Sequence, residues 1–159
     1  MKARRDAGLP FELEMAAPDE PLALLHFAFR AVVAEPDAQL AQLRLTRVHH
    51  RILFFIARSP ELRVVDLVRT LGITKQALYA PLQQLLRKKL VQSRTDPSNL
   101  RERHLCLSPL GKALEKRLSG QQRRTFQAAF RKAGPLATQG WQAIMRELAS
   151  GLGEPQARE

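Results

Sequence analysis

Gly72-Ile73-Thr74-Lys75-Gln76-Ala77-Leu78-Tyr79 reads as a turn feeding a helix, and the fold is read outward from it. Gly72 suits the left-handed residue that closes a preceding helix, Val65 to Leu71, and Thr74 offers a side-chain oxygen to open the next. That next helix, Lys75 to Lys89, carries Leu78, Leu82, Leu85 and Leu86 on one side and Lys75, Gln76, Tyr79 and Gln83 on the other. Only a few residues separate the two helices, which is helix–turn–helix spacing. Pro81 lies inside the second helix and removes a backbone donor, a loss of about 3 kcal/mol in an ordinary helix interior. The same apolar face continues on both sides of it, so the expectation is a bend rather than a stop.

Downstream, Leu90-Val91-Gln92-Ser93-Arg94 and His104-Leu105-Cys106-Leu107 have strand character, and the turn-rich Asp96 to Asn99 between them makes a hairpin. A groove-sized helix beside an arginine-bearing hairpin is a winged helix–turn–helix arrangement and points to duplex DNA. The base-reading face is Thr74, Lys75, Gln76, Tyr79 and Gln83. Lysine suits guanine, glutamine suits adenine, and an apolar or aromatic group suits the thymine methyl. Arg101 and Arg103, supported by Arg94 at the hairpin base, suit phosphates or a narrow minor groove. The same residues could make an ordinary solvated face and loop, but the preceding helix and the basic hairpin weigh against that.

Charge agrees. The 159 residues hold 26 Lys+Arg and 15 Asp+Glu, a formal charge of +11, which favours polyanionic partners. From Arg87 to Lys132 there are 13 basic and 3 acidic residues, whereas Met1 to Pro36 has 4 basic and 6 acidic. The excess therefore sits on the hairpin and the helix after it. One cysteine excludes an intrachain disulfide and argues against a cysteine-based zinc site. With no long apolar span and no apolar signal core, no membrane association is expected, and the expectation is a cytoplasmic protein.

The flanks are helical. Pro21 opens a helix with Leu22, Leu25, Phe29 and Val32/Val33 at helical spacing, widened by Leu24 and Phe27; it is too apolar to stand in water alone. A linker from Pro36 to Leu43 is expected after it. Thr46 caps a helix through Val48, Ile52, Leu53, Phe55 and Ile56 that stops before Ser59-Pro60, and Leu62-Arg63-Val64 makes a very short strand. Ser108-Pro109 starts a long helix, Gly134-Pro135 breaks it, and Leu136 to Ala149 makes a last one with Trp141, Ile144, Met145 and Leu148. The length prior gives one domain, mainly α with a small two- to three-stranded antiparallel β-wing.

Leu45-Thr46, Leu53, Leu67, Leu71-Gly72-Ile73-Thr74, Leu85, Lys89-Leu90-Val91, and Asp96-Pro97 through Leu105-Cys106-Leu107-Ser108-Pro109-Leu110-Gly111 together resemble a MarR-type regulator. The resemblance covers roughly residues 22–148 and is specific over 45–114. Where such regulators usually carry Asp-x-Arg before the second wing strand, this chain has Asn99-Leu100-Arg101, so Arg101 lacks a full counter-charge. The resemblance implies a homodimeric transcriptional regulator on a pseudo-palindromic operator, a repressor or activator whose DNA affinity drops when a small ligand or oxidant reshapes the dimer; a ligand-responsive repressor is the foremost reading. It divides the chain into an arm (1–20), an N-terminal dimerisation helix and linker (21–44), the winged unit (45–108), C-terminal dimerisation helices (109–150) and a tail (151–159). An effector pocket is then expected between the dimer helices and the winged unit, lined from the first two helices, where His26, Arg30 and His50 would suit a small aromatic acid.

Other chemistries fare less well. His49 and His50 are adjacent, so on a helix they point about 100° apart and make no joint metal face; no metal or cofactor is expected. Cys106 sits on the strand face opposite Leu105 and Leu107. The peroxide sensors that the resemblance brings in carry their cysteine in the first helix, where this chain has none. No catalytic constellation stands out, and the chain is not expected to be an enzyme. The alternative is a winged-helix module that binds a protein partner and never touches DNA; it predicts no salt-sensitive duplex binding.

Overall fold

The computed structural model describes residues 19–95 and 103–152. In chain order these form α1 (Glu20–Gln42), α2 (Arg47–Arg58), β1 (Leu62–Arg63), α3 (Val64–Leu71), α4 (Lys75–Arg87), β2 (Val91–Thr95), β3 (Arg103–Leu107), α5 (Pro109–Ala133) and α6 (Pro135–Ser150). The expected arm up to residue 18, the hairpin tip from Asp96 to Glu102 including Arg101, and the tail from 153 lie outside the described residues.

One apolar core joins the winged unit. Ile52, Leu53 and Ile56 of α2 meet Leu67 of α3, the Leu78–Leu82–Leu85 face of α4, and Leu105 and Leu107 of the sheet, while Leu40 of α1 and Leu114 and Leu118 of α5 close it from the other side. The sheet is antiparallel in the order β1-β3-β2, with Leu62 opposite Leu105 and Val91 opposite Leu107. Leu105 and Leu107 are buried and Cys106 between them is turned to the other face, as the alternation requires.

Local signals set most boundaries. Gly72 takes the left-handed conformation (φ 63°) that ends α3, and Thr74 Oγ1 accepts from the Ala77 N–H at 3.1 Å to begin α4. Two prolines depart from the local rules. The linker expected from Pro36 is absent: α1 runs through Pro36 to Gln42. Pro36 is fully buried on one face with Val33 and Leu40, so packing outweighs the lost donor and the extended bias on Glu35. Pro81 lies within α4 between the buried Leu78 and Leu82. That helix ends at Arg87 rather than Lys89, because Lys89 turns left-handed (φ 55°) to start the chain towards β2.

The wing is fastened to α5 through backbone. Ser108 caps α5 by accepting from the Gly111 N–H at 3.0 Å and donates its own hydroxyl to the Lys89 carbonyl at 2.7 Å. The Leu90 carbonyl accepts from the Ser108 N–H at 3.1 Å and lies so close to Gly111 that a Cβ there would stand 1.9 Å from it. At the far end of α5, Phe126 and Phe130 pack against Trp141 of α6 at centroid distances of 5.4 and 5.1 Å, and against each other at 5.7 Å. No residue of α6 is buried.

Candidate nucleic-acid interface

The leucine face that buries α4 fixes which side it presents outward. With Leu78 and Leu85 essentially inaccessible, Lys75, Gln76 and Tyr79 stand in solvent, Tyr79 at 67% exposure. A tyrosine that open on a helix otherwise well packed has no role in the core. Thr74 is exposed with its hydroxyl committed to the cap, and Gln83 is half-buried at the edge of the face. Ahead of α4, the Arg63 guanidinium grips the Asp66 carboxylate at 2.6 Å and holds its pKa below the usual carboxylate range.

At the wing, Arg103 opens β3 opposite Thr95 and is exposed. Arg94 is also exposed, but its guanidinium lies 3.8 Å from the Glu61 carboxylate. Glu61 itself is left-handed (φ 62°), and its carbonyl accepts from His104 Nδ1 at 2.7 Å. The wing base is thereby braced on the turn that ends α2. Arg94, Lys112, Gln92 and Cys106 line a cavity of about 260 Å³ behind the sheet.

The adjacent histidines of α2 serve different neighbours. The Thr46 N–H donates to His49 Nδ1 at 3.0 Å, which leaves the ring proton on Nε2 to be donated to Gln84 Oε1 at 2.9 Å. Gln84 Nε2 in turn donates to the Arg44 carbonyl at 2.7 Å. His50 faces α5: its Nε2 lies 3.2 Å from Ser119 Oγ, whose hydroxyl donates to Glu115 Oε1 at 2.6 Å, and Arg58 donates to the same carboxylate oxygen. Burial pushes both histidine pKa values down; for His50, Glu115 opposes the shift. Among the described residues no three His, Cys, Asp or Glu side chains gather as a metal would need.

Of the three pocket residues expected from sequence, only His50 lines the cavity between α1 and α2; His26 and Arg30 are exposed and do not. α1 is apolar most of the way round, so its spacing does not say which side faces α2. The cavity is about 230 Å³, walled by Phe29, Phe54 and Phe55, with Arg47 and Arg51 beside His50. Arg47 is held by Asp37 at 2.6 Å and lies over the Phe29 ring. Sequence reasoning missed Gln84, Glu61, and the buried pair Glu115 and Ser119. Only the last left a signal: two polar residues four apart, each next to a core leucine of α5.

Residues 45–102 match the MarR family. The HTH-type transcriptional regulator PetP of Rhodobacter capsulatus is 42% identical over 124 residues, covering 78% of this chain and 75% of that one. A MarR protein from Peptoclostridium difficile superposes with a TM-score of 0.72 at 16% identity, covering 91% of this chain and 94% of the other. BpsR of Bordetella bronchiseptica, whose DNA binding is regulated by 6-hydroxynicotinic acid, superposes with a TM-score of 0.64 at 21% identity over 82% of this chain and 99% of its own.

Proposed function

This chain belongs to the MarR family of DNA-binding transcriptional regulators, and from that premise we propose that it is a homodimeric repressor released by a small aromatic acid. The observation that carries the reading is the split of α4: Leu78, Leu82 and Leu85 are buried while Lys75, Gln76 and Tyr79 stand clear. Each of those three types has a hydrogen-bonding or apolar complement on a base edge in the major groove. Arg103 and Arg101, supported by Arg94 at the hairpin base, would follow the phosphates or minor groove.

Exposed apolar side chains support the pairing. Leu22 and Leu25 of α1 and Leu136, Ile144 and Leu148 of α6 are all more than half exposed in the single chain. Leu22 and Leu25 are three apart and Ile144 and Leu148 four apart, so each pair shares a helix face, and exposed apolar surface of this kind marks an interaction face. A twofold pair places two α4 helices about one helical turn of DNA apart, roughly 34–36 Å, on a pseudo-palindromic site. For the effector, the aromatic walls of the α1–α2 cavity accept a ring, and the Arg51 guanidinium beside His50 accepts a carboxylate. The regulation of BpsR by 6-hydroxynicotinic acid makes that compound the first to try.

The test is a gel-shift titration of randomised duplexes at two salt concentrations. Salt-sensitive binding that enriches a twofold site is expected. Gln76→Ala or Tyr79→Ala should relax base preference at defined positions by about 1–3 kcal/mol per lost contact. Arg101→Ala or Arg103→Ala should weaken all sequences alike and lower the salt slope by about 1. Binding that ignores salt, or no duplex binding at all, sinks the reading.

A further inference from the structure

We infer that Gln84 sets the pose of the reading helix on the rest of the domain and acts as a positioning residue for duplex recognition. The inference rests on the reading of α4 given above. Apolar packing holds α4 down through Leu78, Leu82 and Leu85, but such contacts are non-directional and resist lifting more than turning or sliding. A reading helix must be fixed in both of those senses. Gln84 lies about 120° round the helix from that leucine face, on a flank that is neither core nor groove.

From there its amide reaches two fixed points. Oε1 accepts from His49 Nε2 at 2.9 Å, and Nε2 donates to the Arg44 carbonyl at 2.7 Å. The amide has one workable orientation. His49 Nδ1 already accepts from the Thr46 N–H, so its Nε2 must donate, and a flipped amide would set donor against donor. Both anchors belong to the corner where α1 hands over to α2. Arg44 is left-handed there (φ 54°), a conformation that a non-glycine residue keeps only when its surroundings hold it. His49 stands in the first turn of α2 and shares the capping of that helix with Thr46.

Gln84 is thus a two-point strut from the reading helix to the corner of the first two helices. The tolerance it enforces is tight. Side chains reach roughly 5–6 Å from a helix axis, so a turn of about 15° carries their tips about 1.5 Å. That exceeds the useful range of hydrogen-bond lengths. Without the strut each α4 should meet its half-site over a spread of angles, and the pair should become tolerant of the distance between half-sites.

The experiment compares the full chain with Gln84→Met, which keeps length and loses both hydrogen bonds. The duplexes are the best site enriched by the unaltered protein and two derivatives with its halves one base pair closer or further apart. The unaltered protein should discriminate sharply among the three. Gln84→Met should bind the best duplex about tenfold more weakly and lose most of the discrimination, with its salt slope intact. A variant that was only less stable would lower the active fraction on all three duplexes equally, leaving their ratio unchanged. An unchanged ratio therefore overturns the inference alone. An unaltered protein with no spacing preference removes the twofold reading and this inference with it.

Discussion

Alanine at position 111 would put a methyl group into the backbone of the wing. Its Cβ would stand 1.9 Å from the Leu90 carbonyl oxygen and 2.9 Å from the carbonyl carbon. Carbon and oxygen approach comfortably at about 3.3 Å, so one side must retreat by about 1.4 Å. Neither can do so freely. The Leu90 oxygen accepts from the Ser108 N–H, and the Gly111 N–H donates to Ser108 Oγ within the cap of α5. Forced overpacking costs about 1–3 kcal/mol, and each disturbed hydrogen bond about 1 kcal/mol. Against this stands a helix-propensity gain of about 1 kcal/mol for replacing glycine. The net loss is about 2–4 kcal/mol, or roughly 4–16 °C in Tm for a chain of this size. Circular-dichroism melts at one fixed protein concentration should show it. Gly140→Ala in α6 is the matched control: nothing lies within 4 Å of its Cβ position, so it should melt at or slightly above the parent. A Gly111→Ala protein melting with that control would refute the close approach of Leu90 to α5.

Other perturbations follow from the buried polar groups. His49 and His50 both have folded pKa values below the ordinary 6.5 because burial disfavours their charged forms. The unfolded chain therefore binds more protons once pH drops below about 6.5, and stability should fall with pH there, by at most about 1.4 kcal/mol per pH unit for each histidine. Melts between pH 7.5 and 5.5 check this, and a flat or rising Tm on acidification would contradict it. Glu115→Ala takes the shared acceptor from Ser119 and Arg58, and should lower stability by about 1–3 kcal/mol in urea unfolding with an unchanged m-value. A variant as stable as the parent would mean that those donors find water instead.

What could be read from sequence was what nearest neighbours decide. Gly72, Thr74, Thr46 and Ser108-Pro109 each act over three or four residues, and all stand where their chemistry put them. The strand alternation that turns Cys106 away from the core is equally local. Pro36 was not legible, because the burial that keeps it helical comes from other elements. Nor was the partnership of Gln84 with Arg44, 40 positions away, or of His50 with Ser119, 69 positions away. His26 and Arg30, exposed on α1 and away from the α1–α2 cavity, show a third limit. A helix apolar most of the way round does not tell its own core from the face it offers to another molecule.

That distinction bears most on α6. Its sixteen residues have no buried member, and apart from the aromatic stack with α5 its large apolar side chains Leu136, Ile144 and Leu148 face solvent. An isolated helix of this length is marginal in water. If a second copy supplies the missing cover, acquiring a partner and finishing the fold become one event for this segment. Scarcity would then thin out complete molecules as well as pairs, and the number of chains in the cell would itself tune how steeply the control region fills.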